Sequence, residues 1–156
     1  MMPDEPTAAS PASRVLPGPG DLRHYPAHNL VTWQPDGVLD DRLVDKIGEW
    51  LCDIERTASP FDRFVDLTRI TEVAVRTNHL FDFARTRARQ LTGAAPMKSA
   101  VLSEDWVGFG VARMYESLME GTPIEVRAFR DRTKAAAWLD VPVEILEPGN
   151  KPTRPN

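Results

Sequence analysis

The apolar residues between Leu30 and Leu139 keep changing their period, and this alternation limits the fold more than any other feature of the chain. Short β-rich runs at residues 30–33, 63–67, 98–102 and 124–129 are separated by stretches whose apolar residues recur every three or four positions. A strand, a single helix and another strand in one sheet require a crossover, which gives parallel pairing. The alternation therefore predicts an α/β domain with a mixed, largely parallel sheet of about five strands and about four helices.

The helices are placed by their stripes and stops. Leu43, Val44, Ile47, Trp50, Leu51 and Ile54 share one stripe, and Asp40 is positioned as N-cap. A second helix is expected over 77–91, with Leu80, Phe81, Ala84, Ala88 and Leu91 inward and Gly93 as its stop. A third is capped by Ser103, carries Trp106, Val107, Val111, Met114, Tyr115 and Leu118 inward, and ends at Gly121. Asp131 caps a short fourth helix over 132–139. The run 30–33 and the pair Val38-Leu39, joined by Pro35-Asp36-Gly37, read as a hairpin that adds an antiparallel edge.

At 156 residues the chain is expected to form a single domain over 21–146. Residues 1–20 contain five of the 14 prolines and few large apolar side chains, so they are expected to be a disordered tail. Residues 147–156 contain three more prolines and read the same way. The net charge of −4 argues against a nucleic-acid binder, which is normally basic. The single cysteine, Cys52, excludes an internal disulfide and a Cys-based zinc cluster. No apolar run approaches the ~20 residues of a membrane span, and residues 1–20 lack the apolar core of a secretory leader. A cytoplasmic location is the resulting expectation.

Two stretches carry a family likeness. Phe64-Val65-Asp66-Leu67-Thr68 looks like a central strand ending in an Asp-Leu-Ser/Thr step. Residues 124–139 join a strand ending in Phe129 to a charged turn and Ala135-Ala136-Ala137-Trp138-Leu139. With the order of elements, they make the chain resemble the STAS fold of anti-sigma factor antagonists, and more closely its SpoIIAA-like relatives. The resemblance implies a non-enzymatic regulatory or protein-interaction module, with the second helix facing the partner. Its alternative is a carrier of a small apolar or lipid ligand. The antagonists' Asp-Ser phosphoacceptor step is missing: residues 73–77 read Val-Ala-Val-Arg-Thr. Their phosphoswitch is therefore not carried over; Thr77 is the nearest hydroxyl, and it reads first as a helix N-cap.

The candidate site residues follow from these placements. Asp66 and Thr68 fall at the carboxyl end of a strand, the ligand-prone rim of an open α/β sheet; Asp66 also suits a structural role, bonding the loop that follows it. Arg76, Arg85, Arg87 and Arg89 gather on and before the second helix of an acidic chain. Arg76, Thr77, Arg85 and Arg89 are the candidate partner contacts, against the plainer reading of a solvated helix face. An enzyme would need groups converging from Asp66, Thr68, Thr71 and His79, and no nucleophile–base signature accompanies them. Gly108-Phe109-Gly110 fails as a dinucleotide fingerprint because Arg113 stands where the third glycine belongs and the run is helical. His24 and His28 flank Pro26, which argues against a helical metal pair. No cofactor or metal is expected.

Overall fold

The computed structural model describes residues 12–148. Six strands form one sheet in the order β1-β2-β3-β5-β7-β8: β1 (Arg14–Leu16), β2 (Asp21–Tyr25), β3 (Leu30–Gln34), β5 (Asp62–Asp66), β7 (Met97–Leu102) and β8 (Ile124–Phe129). The three pairings from β3 to β8 are parallel, and the β1–β2 and β2–β3 pairings are antiparallel. The helices α1 (Asp41–Thr57), α2 (Thr77–Gln90), α3 (Trp106–Leu118) and α4 (Arg132–Leu139) complete the mixed, largely parallel α/β arrangement that the alternation implied.

Side chains alternate across the sheet as the two-residue period of a strand requires. On one face Val31, Trp33, Val101, Ile124 and Val126 pack under α1, α2 and α3. On the other, Leu30, Phe64, Ala100 and Leu102 pack against Ala135, Ala136 and Leu139 of α4 and against Ile145 and Leu146 in a closing 3-10 turn, Val143–Leu146. Helix α1 begins as its sequence dictates, with the Asp40 carboxylate accepting the Leu43 N–H at 2.9 Å. Helix α4 begins on Asp131 in the same way.

The expected hairpin between residues 30–33 and 38–39 does not form. Both edges of β3 are taken, one by β2 and the other by β5. The strand β4 (Gly37–Asp40) turns away at Gly37, whose φ of +84° suits a residue without a Cβ, and pairs in parallel with β6 (Ile70–Ala74). This second, two-stranded sheet holds the starts of α1 and α2 together. The antiparallel edge comes instead from β1 and β2. Part of the region expected to be tail is therefore structured: β1 lies within residues 1–20, and the Pro17 and Pro19 carbonyls accept the indole N–H groups of Trp50 and Trp33. Residues 1–11 and 149–156 lie outside the described residues. Among the described residues no helix is long and apolar enough to cross a membrane.

Two helix faces differ from expectation. On α3 the cap is Asp105, whose carboxylate accepts the Val107 and Gly108 N–H groups, while Ser103 is buried. The inward row becomes Gly108 and Ala112, and Trp106 and Val107 turn outward, 71% and 60% exposed. On α2, Phe81 faces outward, whereas Phe83 is half-buried and stacks on Tyr115, 5.7 Å between ring centres.

Candidate functional site

The carboxyl ends of the parallel strands bring Gln34, Asp66, Ser103 and Arg130 to one edge of the sheet. Asp66 is 2% exposed and uses both oxygens inside the chain. Its Oδ1 accepts the Thr68 backbone N–H at 2.9 Å and the Thr68 hydroxyl at 2.7 Å. Its Oδ2 accepts from Gln34 Nε2 at 3.0 Å and from Arg132 Nη1 at 2.6 Å, and the same Nη1 donates to the Leu146 carbonyl. The carboxylate therefore ties α4 and the closing turn to the sheet. The cleft beside it is about 20 Å³, too small for an organic ligand. Asp66 and Thr68 are at the rim where the sequence placed them, but their groups bond each other and α4. Thr71 donates to the Gly37 carbonyl, and His79 Nε2 lies 2.8 Å from an Asp45 carboxylate oxygen. Asp66, Thr71 and His79 thus bond different partners: Asp66 the Thr68, Gln34 and Arg132 donors, Thr71 the Gly37 carbonyl and His79 the Asp45 carboxylate.

Beside Asp66 along that edge lies an exposed aromatic cluster. The Arg130 guanidinium lies over the Trp106 ring, 3.6 Å from its centre, and donates to the Glu104 carbonyl at 2.6 Å. Phe109 meets Trp106 edge-on with centroids 6.1 Å apart. Val107 continues the apolar surface on the first turn of α3. Among the described residues no carboxylate pairs with Arg130. The sequence contained this signal in the two adjacent apolar residues after Asp105. Counting both in the inward stripe of the helix hides it, because the row that packs carries the small Gly108 and Ala112.

The basic residues around α2 separate into different environments. Arg76 Nε lies 2.5 Å from Asp41, and that carboxylate also accepts the Arg76 backbone N–H at 2.9 Å. These bonds hold the Asp41 carboxyl below its ordinary value, the backbone N–H contributing most. Thr77 is exposed as the first residue of α2. Arg85 lies 3.3 Å from Asp82, and both are exposed. Arg89 is exposed on the same face one turn on.

Arg87 departs entirely from the expected basic surface: it is 2% exposed. Its Nη1 and Nη2 donate to Glu55 Oε1 and Oε2 at 3.1 and 2.6 Å, and Nη1 also reaches Gln90 at 2.8 Å. Arg63 of β5, 5% exposed, donates Nη1 to the same Glu55 at 2.7 Å and lies over the Phe61 ring. Its Nε is buried and has no hydrogen-bond partner among the described residues. Burial pulls the Arg63 guanidinium below its usual range, against the pull of Glu55. Burial alone would raise Glu55, but Arg87 and Arg63 outweigh it and its carboxyl stays below the ordinary value. Burial also pushes the Tyr115 phenol up.

Above this cluster is a cavity of about 120 Å³ between the sheet and α1, α2 and α3. Its walls include Leu51, Leu80, Phe83, Val101, Val111 and Tyr115, and Arg63 and Arg87 border it. The carrier reading expects a pocket between the sheet and the helices that bear Phe81 and Trp106, α2 and α3, and the cavity lies there; neither of those two side chains lines it, because both face outward.

No family model matches the chain, and no curated protein matches it. Among solved structures it is similar to an uncharacterised protein of the DUF3478 family with a SpoIIAA-like fold from Shewanella loihica. The identity is 15%, the TM-score is 0.47, and the match covers 82% of this chain and 92% of that one.

Proposed function

We propose that this chain is a non-enzymatic protein-interaction module whose partner docks on the edge formed by Trp106, Val107 and Arg130. The observation that carries the reading is a 71%-exposed tryptophan stacked under an arginine that pairs with no carboxylate among the described residues, beside a second exposed apolar side chain. Tryptophan and arginine are the residues most enriched where interfaces concentrate their energy. Stacking fixes both side chains before binding, so little rotamer freedom remains to be lost on contact. A matching partner surface would present an apolar pocket for the indole and a carboxylate for Arg130.

The rival docking surface is the exposed Arg85 and Arg89 face of α2, with Arg76 and Thr77 at its start. Two variants separate the surfaces. Co-purification of the full chain from native extract should recover a stoichiometric protein, whose affinity is then measured by titration calorimetry. Trp106→Ala should weaken that complex at least tenfold, and the double change Arg85→Ala, Arg89→Ala should leave it within about twofold. The opposite ranking moves the interface to α2, and unchanged affinity in Trp106→Ala removes the tryptophan edge from the account.

A further inference from the structure

The second unexplained feature lies on the other face of the sheet from Asp66 and does not depend on the tryptophan edge. Glu55 is one carboxylate facing two buried guanidiniums, Arg63 and Arg87. Among the described residues no carboxylate lines the adjoining cavity, whose other walls are almost wholly apolar. Among them the cluster thus has one positive charge more than it has negative, and the Arg63 Nε lies buried without a partner. Buried charges are normally paired, and buried N–H donors are normally bonded. A donor and a charge left over at the edge of an apolar space describe the complement of an amphiphilic anion.

We propose that this cavity binds a small organic monocarboxylate. Its head meets Arg63, with Arg87 alongside, and its compact apolar body lies among Leu80, Phe83, Val101 and Val111. Size limits the body. A cavity of roughly 150 Å³ holds benzene, so 120 Å³ is short of one ring, suits a short branched chain and excludes a long acyl chain. Entry is past Phe83. With Arg87, Phe83 forms the wall shared with an open groove of about 220 Å³ between α1 and α2. Gly48 lets that ring lie close to α1, since a Cβ there would stand 2.6 Å from the Phe83 Cε1.

The test is titration of the full chain with 3-methylbutanoate and, separately, with its neutral analogue 3-methylbutan-1-ol, followed by calorimetry and by methyl NMR of the cavity valines. The carboxylate should bind saturably and at least tenfold more tightly than the alcohol, with shifts at Val101 and Val111. Arg63→Met should abolish the preference for the anion. Val111→Phe fills the cavity without touching the charges and should abolish 3-methylbutanoate binding in a protein that keeps its circular dichroism, so the test stands even if Arg63→Met does not fold. Equal binding of the two compounds, no saturable 3-methylbutanoate binding by the unaltered chain, or 3-methylbutanoate binding retained in Val111→Phe would each overturn the assignment.

Discussion

Replacing Glu55 by leucine is the most informative single change in the core. Glu55 accepts three charge-assisted hydrogen bonds, at 2.7 Å from Arg63 and at 3.1 and 2.6 Å from Arg87. Its removal leaves two guanidiniums buried with no counter-charge. Breaking a buried ion pair from one side costs about 3–5 kcal/mol. The Glu55 side chain is 16% exposed, so water reaches part of the cluster and the lower end of that range applies, ~3 kcal/mol. For a domain stable by about 5–15 kcal/mol, this is a large fraction. At a typical urea slope of ~2 kcal/mol per molar, the midpoint should fall by about 1.5 M. Arg63→Met should behave quite differently. It leaves Arg87 and Glu55 as a bidentate pair and removes the unpartnered Nε, so its cost should be below ~1 kcal/mol. The assay is urea unfolding followed by tryptophan fluorescence for both variants. If Glu55→Leu loses less than ~1 kcal/mol, or if Arg63→Met costs as much as Glu55→Leu, the charge argument fails.

Acid should act through the same carboxylate. The Glu55 pKa is lowered in the folded chain, so its stabilisation is fully present above the ordinary carboxylate value of ~4.3 and is lost as pH falls through the lower folded value. Urea midpoints should drop below about pH 4, and Glu55→Gln should flatten that part of the curve. Asp66→Ala should cost ~3 kcal/mol, and native-state hydrogen exchange should report it as lost protection in α4, because Arg132 loses the carboxylate that anchors it. Gly48→Ala gains up to ~1 kcal/mol of helix propensity, but its Cβ must displace Phe83. Overpacking of ~1–3 kcal/mol should win, and the Phe83 and Tyr115 ring signals in NMR should shift.

Local rules were enough for some elements. Asp40 and Asp131 cap the helices they were assigned to, because a cap and a stripe depend on neighbours a few residues away. The strand β2 was not legible because Asp21, Arg23 and His24 break its apolar pattern, and only pairing with β3 gives its Leu22 and Tyr25 a core to enter. The hairpin reading failed for the same reason, since nothing near residues 30–40 records that both edges of β3 are occupied. In α3 Trp106 and Val107 read as core because they are large and apolar, whereas the row that packs carries the small Gly108 and Ala112. A Cβ on Gly108 would collide with the Ser103 hydroxyl, so only glycine fits that inward position, a constraint that spacing alone does not record. Arg87 reads as surface charge because its partner, Glu55, is 32 residues away on another helix. Asp66 was placed correctly at the strand end, yet its bond to Arg132 spans 66 residues and could not be read from spacing.

Docking at the exposed tryptophan edge is the central functional claim, and a site-specific crosslink tests it most directly. A photoreactive residue at Val107 in the full chain, compared with one at Arg85 on α2, would report which face meets the stoichiometric partner. A crosslink from position 107 that Trp106→Ala suppresses, and none from position 85, is the expected result. A crosslink from position 85 alone would contradict it.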